Sequence, residues 1–429
     1  MSQKSGNRFF EGMRQIKKSR AQRDSIQSGT RSRVAIDEPR IMTPGKPVPR
    51  SRSWALLAAA IGLVLASATG ARAADRLLEE TVEFTGNVLF LQSHVPALVI
   101  AAVRNDETAV FGFGETSDGS GKPPDGNTML RVGSLSKAFT GQVLAALVAG
   151  RTVSFSDRLQ DRLGWNVSVP VRSGHQIRLI DLATHSSGLP REVEREPGPP
   201  DDPFSTLTPE AYGKALASDP LLFAPGTGVL YSNFGFDLLG AALAHAAGKP
   251  YNVLLKELVL DPAGLRDSVL ALRTGDDARL LQGHGFDGKP LPDVKTPLIA
   301  AGASGLYSTP SDILRWLSWH LDRFAADRAE IRLLDHAAYL PRDGLDPVYG
   351  LDESGRMDAM GLGWVIMAPR GDRPLILQKA GGLQGIFSYT AFAPTRGVGV
   401  FIAINKFDFG AALTMAAAVN ELIAQLAPR

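Results

Sequence analysis

Strand-like runs sit near both ends of this 429-residue chain, and helix-like runs fill the space between them. Residues 98–104 (LVIAAVR) and 109–114 (AVFGFG) are β-rich and flank Asn105-Asp106-Glu107, which predicts a hairpin. Far downstream, residues 361–367 (GLGWVIM), 375–379 (LILQK), 387–392 and 398–405 (VGVFIAIN) read as strands, the last two joined by the turn Pro394-Thr395-Arg396-Gly397. In between, apolar residues recur at helical spacing at Leu135, Phe139, Val143, Leu144, Leu147 and Val148, and Gly150 is placed to cap that helix. Residues 176–183, 208–218, 234–247 and 251–259 also read as helices, and 409–426 close the chain with another. Sequence-distant strands must pair to bury such a pattern. The expected fold is therefore α/β in content (α+β in layout). One antiparallel sheet is built from both chain ends and flanked by helices, with a mostly helical region inserted. Expected boundaries are a folded domain over 74–429, with a sheet part at 80–130 and 300–429 and a helical part at 140–300.

The segment before this domain differs in kind. Residues 1–53 carry 13 Lys/Arg against 4 Asp/Glu, and residues 74–429 carry 32 against 40. The overall charge of +2 thus conceals a basic leader on an acidic domain, so the basic pI gives no reason to expect a nucleic-acid partner. The leader has few large apolar residues to offset its ordering entropy and is expected to be disordered. Residues 54–75 (WALLAAAIGLVLASATGARAAD) then follow Arg50 and Arg52, are apolar in the middle, and end in Ala71-Arg72-Ala73. That is the layout of a signal peptide over 54–73, cleaved after Ala73, and it implies export. Left uncleaved, the same stretch would hold the protein at the inner membrane. Met42 opens an ordinary basic n-region, so translation is expected to begin there rather than at Met1. The chain has no cysteine, which excludes disulfides, thiolate metal sites and a catalytic thiol.

Three short motifs carry chemistry. Ser134 and Lys137 lie three residues apart in GSLSK at the start of a helix, so they can share one face, with the serine at the positive helix end. About one Ser-x-x-Lys is expected by chance in a chain of this size, and the ordinary alternative is a serine N-cap followed by a surface lysine. Tyr231-Ser232-Asn233 lies between a Pro-Gly turn and a helix; its alternative is a buried tyrosine and a capping asparagine. Lys379-Ala380-Gly381-Gly382 ends a β-rich run, where paired glycines leave room for a ligand backbone; its alternative is a bulge or hairpin turn bearing a surface lysine.

In this order, Ser-x-x-Lys, Tyr-x-Asn and Lys-x-Gly resemble the serine β-lactamase and penicillin-binding-protein superfamily, with Tyr-x-Asn similar to its class C branch. The likeness extends through LATHSSGLPRE (182–192), APGTGVLYSNFGFDLLGAALAHAAGKPY (224–251), GASGLYSTPSDILRW (302–316) and GLGWVIMAPRGDRPLILQKAGG (361–382), which look like the AmpH-type D-alanyl-D-alanine carboxypeptidase/endopeptidases. The resemblance spans roughly residues 80–425. It implies a periplasmic enzyme without metal or cofactor, acting on peptidoglycan stem peptides and acylated by β-lactam antibiotics. It implies Ser134 as nucleophile, Lys137 as its activator, and Tyr231 as general base or acid. Asn233 would bind the substrate amide, Lys379, Ala380 and Gly381 would line the substrate site, and the Ser134 and Gly382 N–H groups would form the oxyanion hole. The two lysine ammonium groups would stabilise the negative charge that a phenol acting as base must carry.

One position departs from the family pattern. Ala380 stands where a Thr or Ser is usual, and a lost hydrogen bond to a carboxylate is worth roughly 1.5–3 kcal/mol. An esterase or weak β-lactamase on the same site is therefore a rival to the peptidase, as is a penicillin-binding sensor or scaffold without turnover. Ser388 is a candidate to replace the missing hydroxyl. The acidic loop 191–202 (REVEREPGPPDD) reads either as a solvated loop or as a rim attracting a cationic stem-peptide amine. None of the seven histidines has metal-motif spacing, and His185 is expected to be structural.

Overall fold

The computed structural model describes residues 76–218 and 221–427. The leader, the signal-peptide stretch and the expected start at Met42 lie outside these residues.

The centre of the domain is an eight-stranded antiparallel sheet. Its strands in chain order are β1 (Ala97–Arg104), β2 (Glu107–Gly114), β3 (Leu340–Pro341), β4 (Ala359–Met360), β5 (Val365–Met367), β6 (Ile376–Leu383), β7 (Ile386–Ala393) and β8 (Val398–Ile404). The spatial order is β2-β1-β8-β7-β6-β5-β4-β3, so the N-terminal hairpin pairs with the last strand, Val99 facing Ala403. The sheet is thus closed by contacts between opposite ends of the chain, as the strand distribution implied.

Side chains alternate between two cores along each strand. On β1, Val99, Ala101 and Val103 enter the inner core, whereas Leu98, Ile100 and Ala102 enter the outer one. The outer core is covered by α1 (residues 76–93) and by the C-terminal helix Phe409–Leu426, which present Leu78, Val82 and Leu89, and Met415, Val419, Leu422 and Leu426. The inner core packs on helices α2 (Ser136–Ala149), α3 (Asn233–Ala247) and α4 (Pro310–Leu321). Buried all round, α2 is the central helix.

Several sequence expectations shift in detail. Helix α2 begins at Ser136, after a 3₁₀ turn over Gly133–Leu135, and Ser134 caps nothing. Strand β6 runs through the Lys-Ala-Gly-Gly segment instead of ending at Lys379. The hairpin turn comes later, at Gln384 and Gly385, both with positive φ as a tight two-residue turn demands. Residues 176–183 yield only the short helix Leu179–Ala183, preceded by strand His175–Gln176. The 361–367 run contributes only Val365–Met367. Helices not anticipated among the described residues include 76–93, Pro310–Leu321 and Ala329–His336, with the single turns Leu159–Arg162 and Ala301–Ser304.

Candidate active site

The sequence makes the site at the point where the 3₁₀ turn before α2 meets β6. Gly133 has φ +55° and touches backbone: a Cβ there would lie 2.7 Å from the Gly382 nitrogen. A Cβ on Gly381 would lie 2.0 Å from the Val132 carbonyl oxygen. Only glycines allow this approach. It brings the Ser134 turn against Gly382, the two residues expected to supply oxyanion donors.

Lys137 is fully buried, not the surface lysine of the ordinary alternative. Its Nζ donates to Ser134 Oγ at 3.2 Å, to Asn233 Oδ1 at 2.6 Å and to the Ala303 carbonyl at 2.8 Å. These acceptors use all three ammonium protons. Burial pulls the lysine down to about 7, opposed chiefly by the Asp237 carboxylate and then by Glu192. Both protonation states are therefore populated at neutral pH. In the neutral amine, two protons serve Asn233 and Ala303, and the lone pair is free to accept the Ser134 hydroxyl proton.

Asn233 opens α3, but Ser232 is the cap: its Oγ accepts from the Gly235 N–H at 2.9 Å. The Asn233 carboxamide is left to bridge Lys137 and Glu192, to which Nδ2 donates at 2.5 Å. A donor-only lysine and an acceptor-only carboxylate fix its orientation.

Tyr231 is buried, and cationic groups surround its ring. Lys379 Nζ lies 4.6 Å and Lys137 Nζ 5.0 Å from the ring centroid, with the Arg191 guanidinium carbon at 4.7 Å. Its backbone is pinned by the pairing of Val229–Leu230 with Val348–Tyr349 and by its own N–H to the Tyr349 carbonyl at 3.2 Å. Lys379 is only 3% exposed, and burial draws it down to about 8, against the favourable pull of Tyr231.

Next to Lys379, β5 stops pairing at Val365↔Gln378, so from Lys379 to Leu383 one edge of β6 pairs with no other strand among the described residues. An extended peptide can lie along such an edge. Ala380 is half-buried and packs on the outer core. Ser388 does not replace the missing hydroxyl. It sits opposite Gly381, 2% exposed, and its Oγ donates to the Val132 carbonyl at 2.9 Å.

One contributor escaped sequence reasoning, and a second was expected only to be structural. Asp237 lies one helical turn beyond Asn233, accepts from Tyr212 at 2.5 Å, and accepts from the Ala303 N–H at 3.0 Å. Ala303 in turn offers its carbonyl to Lys137, so Asp237 positions that acceptor as well as biasing the lysine. Burial pushes Asp237 up to about 7. His185 stacks on Tyr231 with centroids 4.6 Å apart, and its Nδ1 accepts from the Ser232 N–H at 3.1 Å. Burial, then Lys379 and Lys137, hold it well below its usual range, so it is a neutral prop for the tyrosine. The i, i+4 spacing of Asn233 and Asp237 was the only signal for the former. None existed for the latter beyond its place before the Ser-Ser-Gly turn.

The profile of the beta-lactamase family matches residues 71–425. This chain belongs to the beta-lactamase family. It is 32% identical over 370 residues to the D-alanyl-D-alanine-carboxypeptidase/endopeptidase AmpH of Escherichia coli K12, covering 85% of this chain and 94% of that protein. A Pseudomonas fluorescens beta-lactamase is 24% identical over 351 residues, covering 77% of this chain and 94% of the relative. Among solved structures, a beta-lactamase/D-alanine carboxypeptidase from Yersinia pestis complexed with citrate superposes with TM-score 0.73 at 32% identity, over 82% of this chain and 98% of that one. A class C beta-lactamase superposes with TM-score 0.68 at 19% identity, over 82% and 97%, a likeness of fold. The family member described here thus has the beta-lactamase/transpeptidase-like fold that the resemblance implies, and its sheet joins both chain ends as the strands predicted.

Proposed function

We propose that this beta-lactamase family member is a serine DD-peptidase, a D-alanyl-D-alanine carboxypeptidase/endopeptidase that cleaves peptidoglycan stem peptides through an acyl-enzyme on Ser134. The observation that carries the proposal is the buried Lys137 amine hydrogen-bonded to Ser134 Oγ, in a chain 32% identical to AmpH across 85% of its length. The neutral amine takes the hydroxyl proton as Ser134 attacks the scissile carbonyl. The N–H groups of Ser134 and Gly382 hold the oxyanion, and Tyr231, flanked by cations, exchanges a proton with the leaving amine. The free edge of β6 at Lys379–Gly382 aligns the peptide, Asn233 binds its amide, and Lys379 faces its carboxylate. Water then releases the acyl group. β-Lactams acylate the same serine. No step calls for a cofactor.

The apolar Ala380, with Ser388 committed to Val132, favours a second reading on the same site, an esterase or weak β-lactamase tolerant of substrates without a free terminal carboxylate. The apolar stretch 54–73 with its Ala-Arg-Ala ending supports work in the periplasm. The deciding experiment incubates purified protein with cell-wall fragments and D-Ala-D-Ala pentapeptide, with mass spectrometry of products, alongside p-nitrophenyl esters and nitrocefin. Release of D-alanine or cleavage of cross-links, lost in Ser134→Ala, is expected. Ester turnover without peptide turnover would replace the peptidase by the esterase. A fluorescent-penicillin adduct that never turns over would make the protein a sensor.

A further inference from the structure

A second cluster of chemistry-bearing side chains lies outside the catalytic cleft. The end of α4 carries His320, and the end of the helix Ala329–His336 carries Asp335 and His336. His320 Nδ1 and His336 Nε2 share a hydrogen bond at 2.9 Å, and the Asp335 Oδ2 atom lies 3.6 Å from the first and 4.0 Å from the second. His320 and Asp335 side chains have no exposed surface, and His336 retains 16%. Sequence spacing alone showed no metal motif, because 14 residues separate His320 from Asp335 and the pair meets only when two helices pack.

We propose that His320, Asp335 and His336 bind one divalent transition-metal ion of the zinc class, clipping the end of α4 to the end of the helix Ala329–His336. The geometry is the first support. Zinc–nitrogen and zinc–oxygen bonds of about 2.0–2.2 Å at tetrahedral angles put ligand atoms about 3.3–3.6 Å apart. The three observed separations bracket that value, and an ion fits after the two imidazoles part, and Asp335 closes on His336, by about 0.4–0.7 Å each. The donor set, two imidazoles and one carboxylate, is a zinc set. The second support is unmet polarity: the fully buried Asp335 has an Oδ1 atom with no hydrogen-bond partner. The Oδ2 atom, the one that lies near both imidazoles, accepts from Trp364 Nε1 at 3.0 Å, a contact that orients the carboxylate. Trp316, Trp319 and Trp364 stand edge-on to the His320 ring and keep it from rotating. His336, alone of the three in having exposed surface, is the side from which an ion would enter. Arg332 opposes the ion electrostatically, but its guanidinium is turned to the carbonyls of Ala325 and Asp327. The role is structural. Trp316 stacks on Phe139 of α2 at 3.9 Å, so the clip would brace the helix that bears Lys137 from its far side.

The test uses the full chain without a histidine tag, stripped by chelator and dialysed against zinc or cobalt(II). We expect one ion retained per chain, visible bands from tetrahedral cobalt, and a melting temperature that rises with zinc. At free zinc a hundredfold above Kd, the folded state gains about a hundredfold over the unfolded one. His336→Gln, at the part-exposed ligand, should weaken binding about 100-fold or more and remove the thermal response. Asp335→Asn should do the same, and Ser134→Ala should bind like the parent. A wild-type chain that retains no ion overturns the proposal, whatever the variants do. Equal retention by wild type, His336→Gln and Asp335→Asn overturns it too, by placing the ion elsewhere.

Discussion

Gly133→Ala is the sharpest probe of the catalytic geometry. The substitution adds one methyl at φ +55°, where a side chain costs about 1–2 kcal/mol. It also puts that methyl 2.7 Å from the Gly382 nitrogen and 2.9 Å from its carbonyl carbon. Ordinary contact needs about 3.5 Å, so the Ser134 turn and β6 must part by roughly 0.6–0.8 Å. Those two backbones carry the proposed oxyanion donors, which work only over a narrow range around 2.7–3.1 Å. Losing one such donor costs about 2.7–4 kcal/mol, or 10²–10³ in kcat. We therefore expect kcat for acylation, followed with an activated ester and fluorescent penicillin, to fall about 100-fold or more. KM should change far less, because the added methyl meets Gly382 and not Lys379. Melting temperature should drop by only the few degrees that the strain implies. A folded Gly133→Ala protein acylating within threefold of the parent would refute the oxyanion assignment.

Other outcomes follow from the charges. The rate of acylation should trace a bell with pH: it rises as Lys137 loses its proton near about 7 and falls as Lys379 loses its proton near about 8. A monotonic profile from pH 5 to 10 would separate these lysines from the chemistry. Asp237→Asn removes the charge that holds the Lys137 proton, so the acid limb should move to lower pH. The same change leaves one of the two buried donors, Tyr212 or the Ala303 N–H, short of an acceptor. Stability should fall by about 1–3 kcal/mol in denaturant titration. Glu192→Gln should lower kcat/KM about 2–5-fold for peptides bearing a free side-chain amine relative to amine-blocked ones, the worth of one exposed ion pair. An unchanged ratio would leave Glu192 as an Asn233 partner alone.

Legibility followed periodicity. Strands β1 and β8 were readable because both faces are buried, so each is a short continuous apolar run that includes Val and Ile, whichever core they enter. The helix at 76–93 was not, since it buries only a narrow stripe at Leu78, Val82 and Leu89 and exposes Leu77, Phe84 and Leu91. Strand β6 was read as ending at Lys379 because paired glycines usually break a strand. Here they persist because the Ser134 turn presses on them, a tertiary fact invisible locally. The site motifs were legible for the same reason they are specific: a lysine next to a serine, a tyrosine before an asparagine and a lysine before glycine name chemistry by residue type. His185 and Asp237 carry no such label. Each acts through another residue, one through the Tyr231 ring and the other through Ala303.

Those two indirect contacts bear on how the site divides labour. Lys137 meets Ser134 through its amine and meets Tyr231 only across the ring face, whereas Lys379 lies closer to that ring. The two lysines thus have different partners even though burial depresses both. Asp237 and Glu192 act on Lys137 and hold a proton there, while the favourable partner of Lys379 is Tyr231, with Glu353 also drawn toward that lysine's charge. A proton moving from Ser134 to Lys137 therefore enters a region that already favours positive charge. A proton leaving Tyr231 leaves an anion facing Lys379, whose positive charge that anion favours. The electrostatics thus suit Lys137 as acceptor in acylation and Tyr231 as the group whose negative form Lys379 stabilises.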